Sequence, residues 1–75
     1  LMRFSTWLWD QLDIPGRSGS FAKLCWDDVN NGCASPRFSA SDWLKHFDEK
    51  HAEKRDRLAD MLIPVYMEYL DEVRR

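Results

Sequence analysis

The sequence predicts an all-α protein, a compact bundle of four helices, or of five if Pro64 divides the last one. In four successive segments, apolar residues recur at i, i+3, i+4 and i+7, the spacing of a helix with one buried face. The four tryptophans of the 75-residue chain all lie in these segments. Each buried aromatic ring removes roughly 150–250 Å² from water. Residues 1–75 can therefore close one small core as a single domain.

The first two helices are predicted around a proline-glycine turn. Their apolar stripes are Phe4, Trp7, Leu8 and Leu12, then Phe21, Leu24, Cys25 and Val29. Helix 1 should end before Pro15, because the residue before a proline avoids the α region. We expect residues 15–20 to form a polar turn in which Ser18 or Ser20 caps helix 2. Helix 2 should then cover about 21–29 and stop at the Asn-Asn-Gly sequence 30–32.

The clearest helix start is at Ser39. Ser39 and Asp42 have the spacing of a capping box, and Phe38 is placed to pack on Trp43 as a hydrophobic staple. The third stripe is Ala40, Trp43, Leu44 and Phe47, and helix 3 should continue to about residue 50. The fourth stripe is Leu58, Met61, Leu62, Val65, Tyr69 and Val73, in a helix beginning near 52 or 53. Pro64 cannot donate to the Asp60 carbonyl, which predicts a kink.

Four aromatic motifs are spread along the chain. They are Phe4-x-x-Trp7-Leu8, Gly19-x-Phe21-Ala22, Trp43-Leu44 and Tyr66-x-x-Tyr69-Leu70. This arrangement resembles the YozE-like family of small bacterial and phage proteins. The resemblance implies a fold like that of sterile-alpha-motif domains and offers no catalytic residues. The chain differs from the family pattern in the 30–38 loop, which carries Cys33, and at Pro64.

Composition favours a soluble globular protein without a strong attraction to nucleic acid. The chain is 44% hydrophobic and 32% charged, and 13 acidic against 11 basic residues give a net charge of −2. Non-specific nucleic-acid binding normally needs a basic excess. No apolar run approaches the length of a membrane span and no signal-peptide pattern is present. We therefore expect a cytoplasmic protein with Cys25 and Cys33 as reduced thiols.

Two cysteines and two histidines raise the question of a zinc site. Cys25, Cys33, His46 and His51 have the spacing C-x7-C-x12-H-x4-H. A two-Cys, two-His finger places its cysteines two to four residues apart, whereas Cys25 lies in the apolar stripe of helix 2. His46 and His51 are about 140° apart around an ideal helix. We therefore predict no metal or other cofactor, with the histidines as a helix-surface residue and a helix C-cap.

Catalytic groups are not evident in the sequence. The carboxylate pairs are Asp10 with Asp13, Asp27 with Asp28, and Asp56 with Asp60. Such pairs serve as acid and base only where burial separates their pKa values. At predicted helix ends and on polar faces they are expected to be solvated surface charge. The protein is predicted not to be an enzyme.

Two interaction surfaces remain as hypotheses. Trp9 and Trp26 fall outside the main stripes, as do His46 and part of the Tyr66, Met67 and Leu70 side of the last helix, and aromatic residues of this kind are typical interface anchors. We predict a non-catalytic module that binds a protein partner or itself through Trp9, Trp26, Tyr66 and Leu70. The alternative is nucleic-acid binding through basic residues at the helix 3–helix 4 junction. These are Lys45, Lys50, Lys54, Arg55 and Arg57, with acidic residues interleaved.

Overall fold

A computed structural model describes residues 2–74, and these fold into a bundle of four α-helices. They are α1 (Phe4–Asp10), α2 (Arg17–Asn30), α3 (Ala40–Lys50) and α4 (Arg55–Val73), with a 3-10 turn at Ala52–Lys54. No strand occurs within residues 2–74. The predicted all-α class and four helices are confirmed. The alternative of a fifth helix created at Pro64 is wrong, because α4 continues through this proline.

Helix α2 begins four residues earlier than the sequence suggested, so the predicted turn over 15–20 is wrong from Arg17 onward. Gly16 occupies the N-cap with φ 108°, a conformation that L side chains rarely adopt. Ser18 does not cap the helix; it is buried within it and its hydroxyl donates to Glu68 on α4. Gly19 lies so close to the preceding loop that a Cβ there would be 1.8 Å from the Ile14 carbonyl oxygen. Close approach therefore explains a glycine inside α2.

The other local signals are confirmed. Helix α2 ends at Asn30, and Gly32 follows with φ 78° in the left-handed region. Ser39 accepts from the Asp42 backbone N–H while the Asp42 carboxylate accepts from the Ser39 N–H, completing the capping box. The rings of Phe38 and Trp43 lie 5.1 Å apart, edge to face, as expected of a staple. These contacts fix where α3 begins.

The core contains residues from all four helices. Its buried apolar members are Phe4, Trp7, Leu8, Phe21, Ala22, Cys25, Trp43, Phe47, Leu58, Leu62 and Val65. Trp43 is fully buried, and its indole N–H donates to Ser5 on α1.

The helices of residues 2–74 include none with both the length and the apolar character required to traverse a bilayer.

Candidate functional site

Trp9 and Trp26 form one aromatic pair on the surface shared by α1 and α2. Their rings meet edge to face with centroids 4.7 Å apart. Trp26 is half-buried and its indole N–H donates to the Ser5 carbonyl, so its orientation is fixed. Trp9 is 52% exposed. The exposed ring of Trp9 therefore packs on the ring of Trp26, whose orientation is fixed by a hydrogen bond.

Tyr66 and Leu70 lie elsewhere, on α4. The Tyr66 ring packs edge to face on Phe4 at 5.3 Å and lies 5.6 Å from the ring of Tyr69. Tyr66 and Leu70 are both half-buried. The ring contacts of the described residues do not join Tyr66 to either tryptophan. The four predicted partner residues therefore belong to two separate groups.

The outer side of α4 is more apolar than the sequence pattern suggested. Ile63 and Met67 are 63% and 60% exposed, the two highest values among the large hydrophobic residues described. Together with Leu70 they are spaced i, i+4 and i+7, so they share one side of the helix. We call Ile63, Met67 and Leu70 the α4 outer face. Ile63 is not part of the predicted apolar stripe of the last helix. The same helical periodicity, applied to the opposite side of that helix, groups Ile63 with Met67.

Opposite charges flank the α4 outer face. Asp60 lies seven residues before Met67 and Arg74 lies seven residues after it. Seven residues are close to two full turns, so both charges lie on the same side of the helix as Met67. Both residues are exposed. Asp71, four residues after Met67, is also exposed on this side, so the apolar centre has Asp60 at one end and Asp71 with Arg74 at the other.

The basic residues at the α3–α4 junction are exposed and, as predicted, have acidic neighbours. Those residues are Lys45, Lys50, Lys54, Arg55 and Arg57. Arg55 donates to Asp48 at 2.9 Å and to Asp56 at 3.2 Å. Hydrogen bonds and charge from these two carboxylates raise the pKa of Arg55 above its ordinary value. The central cation of the cluster is thus already paired.

A second polar group lies where α2, α3 and the 3-10 turn meet. The Nε2 atoms of His46 and His51 lie 2.8 Å and 2.7 Å from Oδ2 of Asp28. The predictions for His46 and Asp28 are wrong: His46 is a buried residue, not a surface one, and Asp28 is not simply solvated charge. The expected 140° separation of the histidines is also not realised. Helix α3 ends at Lys50, and His51, at the predicted C-cap with φ −133° and ψ 42°, turns back toward His46.

The electrostatics of this group stabilise an ionised Asp28. Burial raises the pKa of Asp28, but hydrogen bonds from His46 and His51, and their positive charge when protonated, outweigh it and hold the pKa below its ordinary value. The remaining carboxylates of the three predicted pairs are exposed, as expected. Both cysteines are free thiols; Cys25 is buried, and Cys33 is exposed in the loop.

Comparisons with known proteins yield no relative. The chain matches no protein-family model, and neither curated protein sequences nor solved structures give a match. The resemblance to the YozE-like family therefore stays a prediction. Function has to be inferred from the geometry of the described residues.

Proposed function

We propose that this protein is a non-catalytic interaction module that self-associates through the α4 outer face. The exposure of Ile63 and Met67 on one side of a 19-residue helix is the observation that carries the proposal. Contiguous exposed apolar patches commonly mark interaction sites, and Ile63, Met67 and Leu70 are contiguous on one side of α4. We further infer a cytoplasmic location and a bend at Pro64 from the sequence, and a sterile-alpha-motif-like fold from the resemblance to the YozE-like family.

The charge pattern favours a second copy as the occupant of this face. Two antiparallel α4 helices related by a two-fold axis near Met67 would bring Asp60 of each copy opposite Arg74 of the other. Ile63 would then be level with Asp71 and within one residue of Leu70 of the second copy, with Met67 at the centre. Parallel pairing in register would instead oppose Asp60 to Asp60 and Arg74 to Arg74. The Asp60–Arg74 pairing favours the antiparallel arrangement over the parallel one.

The size of the face predicts a reversible dimer rather than a permanent one. Three apolar residues with flanking charges cover less than the roughly 800 Å² per partner typical of stable complexes. Methionine at the centre adapts its shape to the opposing surface at little cost. The Trp9–Trp26 pair is separate from this face. In a dimer formed through α4, the Trp9–Trp26 pair would stay exposed and could bind a different protein.

Nucleic-acid binding is the second hypothesis, and the junction cations favour it less. Arg55 is engaged by Asp48 and Asp56, so a phosphate would have to displace these carboxylates. Affinity through Lys50 and Lys54 would fall steeply with added salt, because phosphate contacts release counterions. Self-association through the apolar contacts of Met67 would lose far less affinity, since added salt screens only the exposed Asp60–Arg74 pairs. Salt dependence therefore separates the two functions.

Light scattering across a micromolar-to-millimolar concentration series tests the proposal. Wild-type molar mass should rise toward that of a dimer, while Met67→Glu should remain monomeric because the dimer would bury two unpaired carboxylates. Ile14→Glu is the matched control, since Ile14 is 48% exposed but lies in the α1–α2 loop. Monomeric wild type throughout the series would contradict self-association. Equal dimerisation of Met67→Glu and the control would place the interface elsewhere.

A further inference from the structure

Three potential metal ligands from distant parts of the chain converge at one point. Asp28 comes from α2, His46 from α3, and His51 from the segment between α3 and the 3-10 turn. One ligand atom from each lies within 4.8 Å of the other two. Neither cysteine thiol is among the ligand atoms that converge here within residues 2–74. The site is therefore distinct from a zinc finger.

The geometry points to a binding site for one divalent transition-metal ion, held by Nε2 of His46, Nε2 of His51 and a carboxylate oxygen of Asp28. Two imidazole nitrogens and one carboxylate are a donor set that Zn²⁺ accepts, and imidazole favours Zn²⁺, Ni²⁺ and Cu²⁺ over Mg²⁺ and Ca²⁺. Zn²⁺ is the ion we use to test the site. Metal binding at this site is independent of self-association through α4.

The observed distances need little change to accept the ion. Ligand bonds of about 2.0–2.2 Å place neighbouring ligand atoms of a tetrahedral zinc site about 3.3 Å apart. The two Nε2–Oδ2 separations are 2.8 Å and 2.7 Å. Each must lengthen by about half an ångström, which a side-chain rotation of Asp28 or His51 can supply. The third separation, between the ligand atoms of the two histidines, is at most 4.8 Å.

Hydrogen bonding explains how the same atoms are arranged without the ion. An ionised carboxylate only accepts, so both imidazoles donate to Asp28 through an Nε2-bound hydrogen. A metal ion placed between the three groups bonds the same nitrogens once each ring is neutral with its hydrogen on Nδ1: a neutral ring moves its hydrogen from Nε2 to Nδ1, and a protonated ring releases its Nε2 proton to water. Metal binding at histidine is coupled to loss of the proton in this way. The metal-free contacts thus orient Nε2 of both rings toward the position the ion would take.

The three ligand side chains differ in exposure, and the more exposed side of the site gives a metal ion access. The side chain of His46 is 4% exposed, that of Asp28 16% and that of His51 29%. His46 is therefore fixed in the core, while the ion can approach from the side of His51. Three protein ligands leave a fourth position for water in tetrahedral coordination. Binding would tie α2 to the α3–α4 junction and stabilise the folded state by mass action.

Calorimetric titration of tag-free protein with Zn²⁺ tests the site, with binding in the wild type expected at one ion per chain. Asp28→Asn and His51→Ala should each weaken binding by about 100-fold or more, since even outer-shell changes cost 10–100-fold. Asp27→Asn is the matched control, because it removes the adjacent exposed carboxylate with the same change in charge. It should bind as the wild type does. Circular dichroism establishes that each variant is folded before titration.

Thermal unfolding and cobalt spectroscopy provide independent readouts. Zn²⁺ should raise the melting temperature of wild type and Asp27→Asn, but not of Asp28→Asn or His51→Ala. Co²⁺ should bind without the near-ultraviolet thiolate band, and Cys33→Ser should leave its spectrum unchanged. Absence of Zn²⁺ binding by the wild type up to millimolar concentration would overturn the proposal. Wild-type affinity in folded Asp28→Asn, or loss of binding in Cys33→Ser, would overturn it as well.

Discussion

The indole N–H of Trp43 on α3 donates a buried hydrogen bond, 2.9 Å long, to the hydroxyl of Ser5 on α1. That hydroxyl in turn donates to the Phe38 carbonyl oxygen at 2.7 Å. Ser5 is completely buried, so one small polar side chain satisfies two groups inside the core. The short helix α1 is thereby fixed to the start of α3, and its Trp9 is held at the surface beside Trp26.

Ser5→Ala should destabilise the fold by about 1–3 kcal/mol, because the buried Trp43 indole N–H loses its acceptor. Urea unfolding followed by tryptophan fluorescence measures the change. Ser20→Ala makes the same chemical change at an exposed position of α2 and should shift stability by less than about 0.5 kcal/mol. Equal stability of the two variants would show that the buried hydrogen bond contributes little.

Gly19→Ala should lower stability, although alanine normally improves a helix interior by about 1 kcal/mol over glycine. The added Cβ would lie 1.8 Å from the Ile14 carbonyl oxygen, so the loop before α2 has to move. Chemical denaturation gives the sign directly. A Gly19→Ala protein more stable than wild type would contradict the close approach of loop and helix.

The two thiols should differ sharply in reactivity. Cys25 is fully buried, and burial together with the nearby Asp28 charge raises its thiol pKa. Thiolate is the reactive form, so Cys25 should resist a disulfide reagent at neutral pH. Cys33 is exposed and should react rapidly with the same reagent. One rapid equivalent in the native protein and two in denaturant is the expected count; two rapid equivalents in the native protein would contradict burial of Cys25.

The capping box should make α3 depend on pH in acid. Hydrogen bonds from Ser39 hold the Asp42 pKa below its ordinary value of 3.8. A lowered folded-state pKa contributes stability above pH 3.8 that is lost as pH falls through the folded-state value. The stability difference between wild type and Asp42→Asn should therefore be constant near neutral pH and shrink in acid. Thermal melts of both proteins from pH 7 to pH 2 measure it, and a difference that grows in acid would contradict the assignment.

Local sequence signals predicted the helices well where the cause is local. The box of Ser39 and Asp42 and the glycine at position 32 depend on neighbouring backbone groups alone, and both marked helix ends correctly. The predicted start of α2 was too late, because serine and glycine, as at Ser18 and Gly19, are typical of turns. Their reasons for lying in a helix are Glu68 on α4 and the backbone of Ile14. Such tertiary contacts have no signature in the local pattern.

The candidate sites were only partly predictable for the same reason. Helical periodicity correctly separates Trp9 from the core, and it could have grouped Ile63 with Met67. It could not bring His46, His51 and Asp28 together, because an ideal helix points the two histidines apart. The end of α3 at Lys50 redirects His51, and the packing of α2 supplies Asp28.

Disulfide cross-linking at the centre of α4 tests the central claim most directly. Met67→Cys in a Cys33→Ser background should give a covalent dimer on mild oxidation, since a two-fold axis near Met67 would bring the two thiols within bonding distance. Ile14→Cys in the same background is the control for random collision, and Cys25 remains buried in both. Rapid cross-linking of Met67→Cys alone is the result predicted by antiparallel pairing of α4. Cross-linking no faster than that of Ile14→Cys would contradict it.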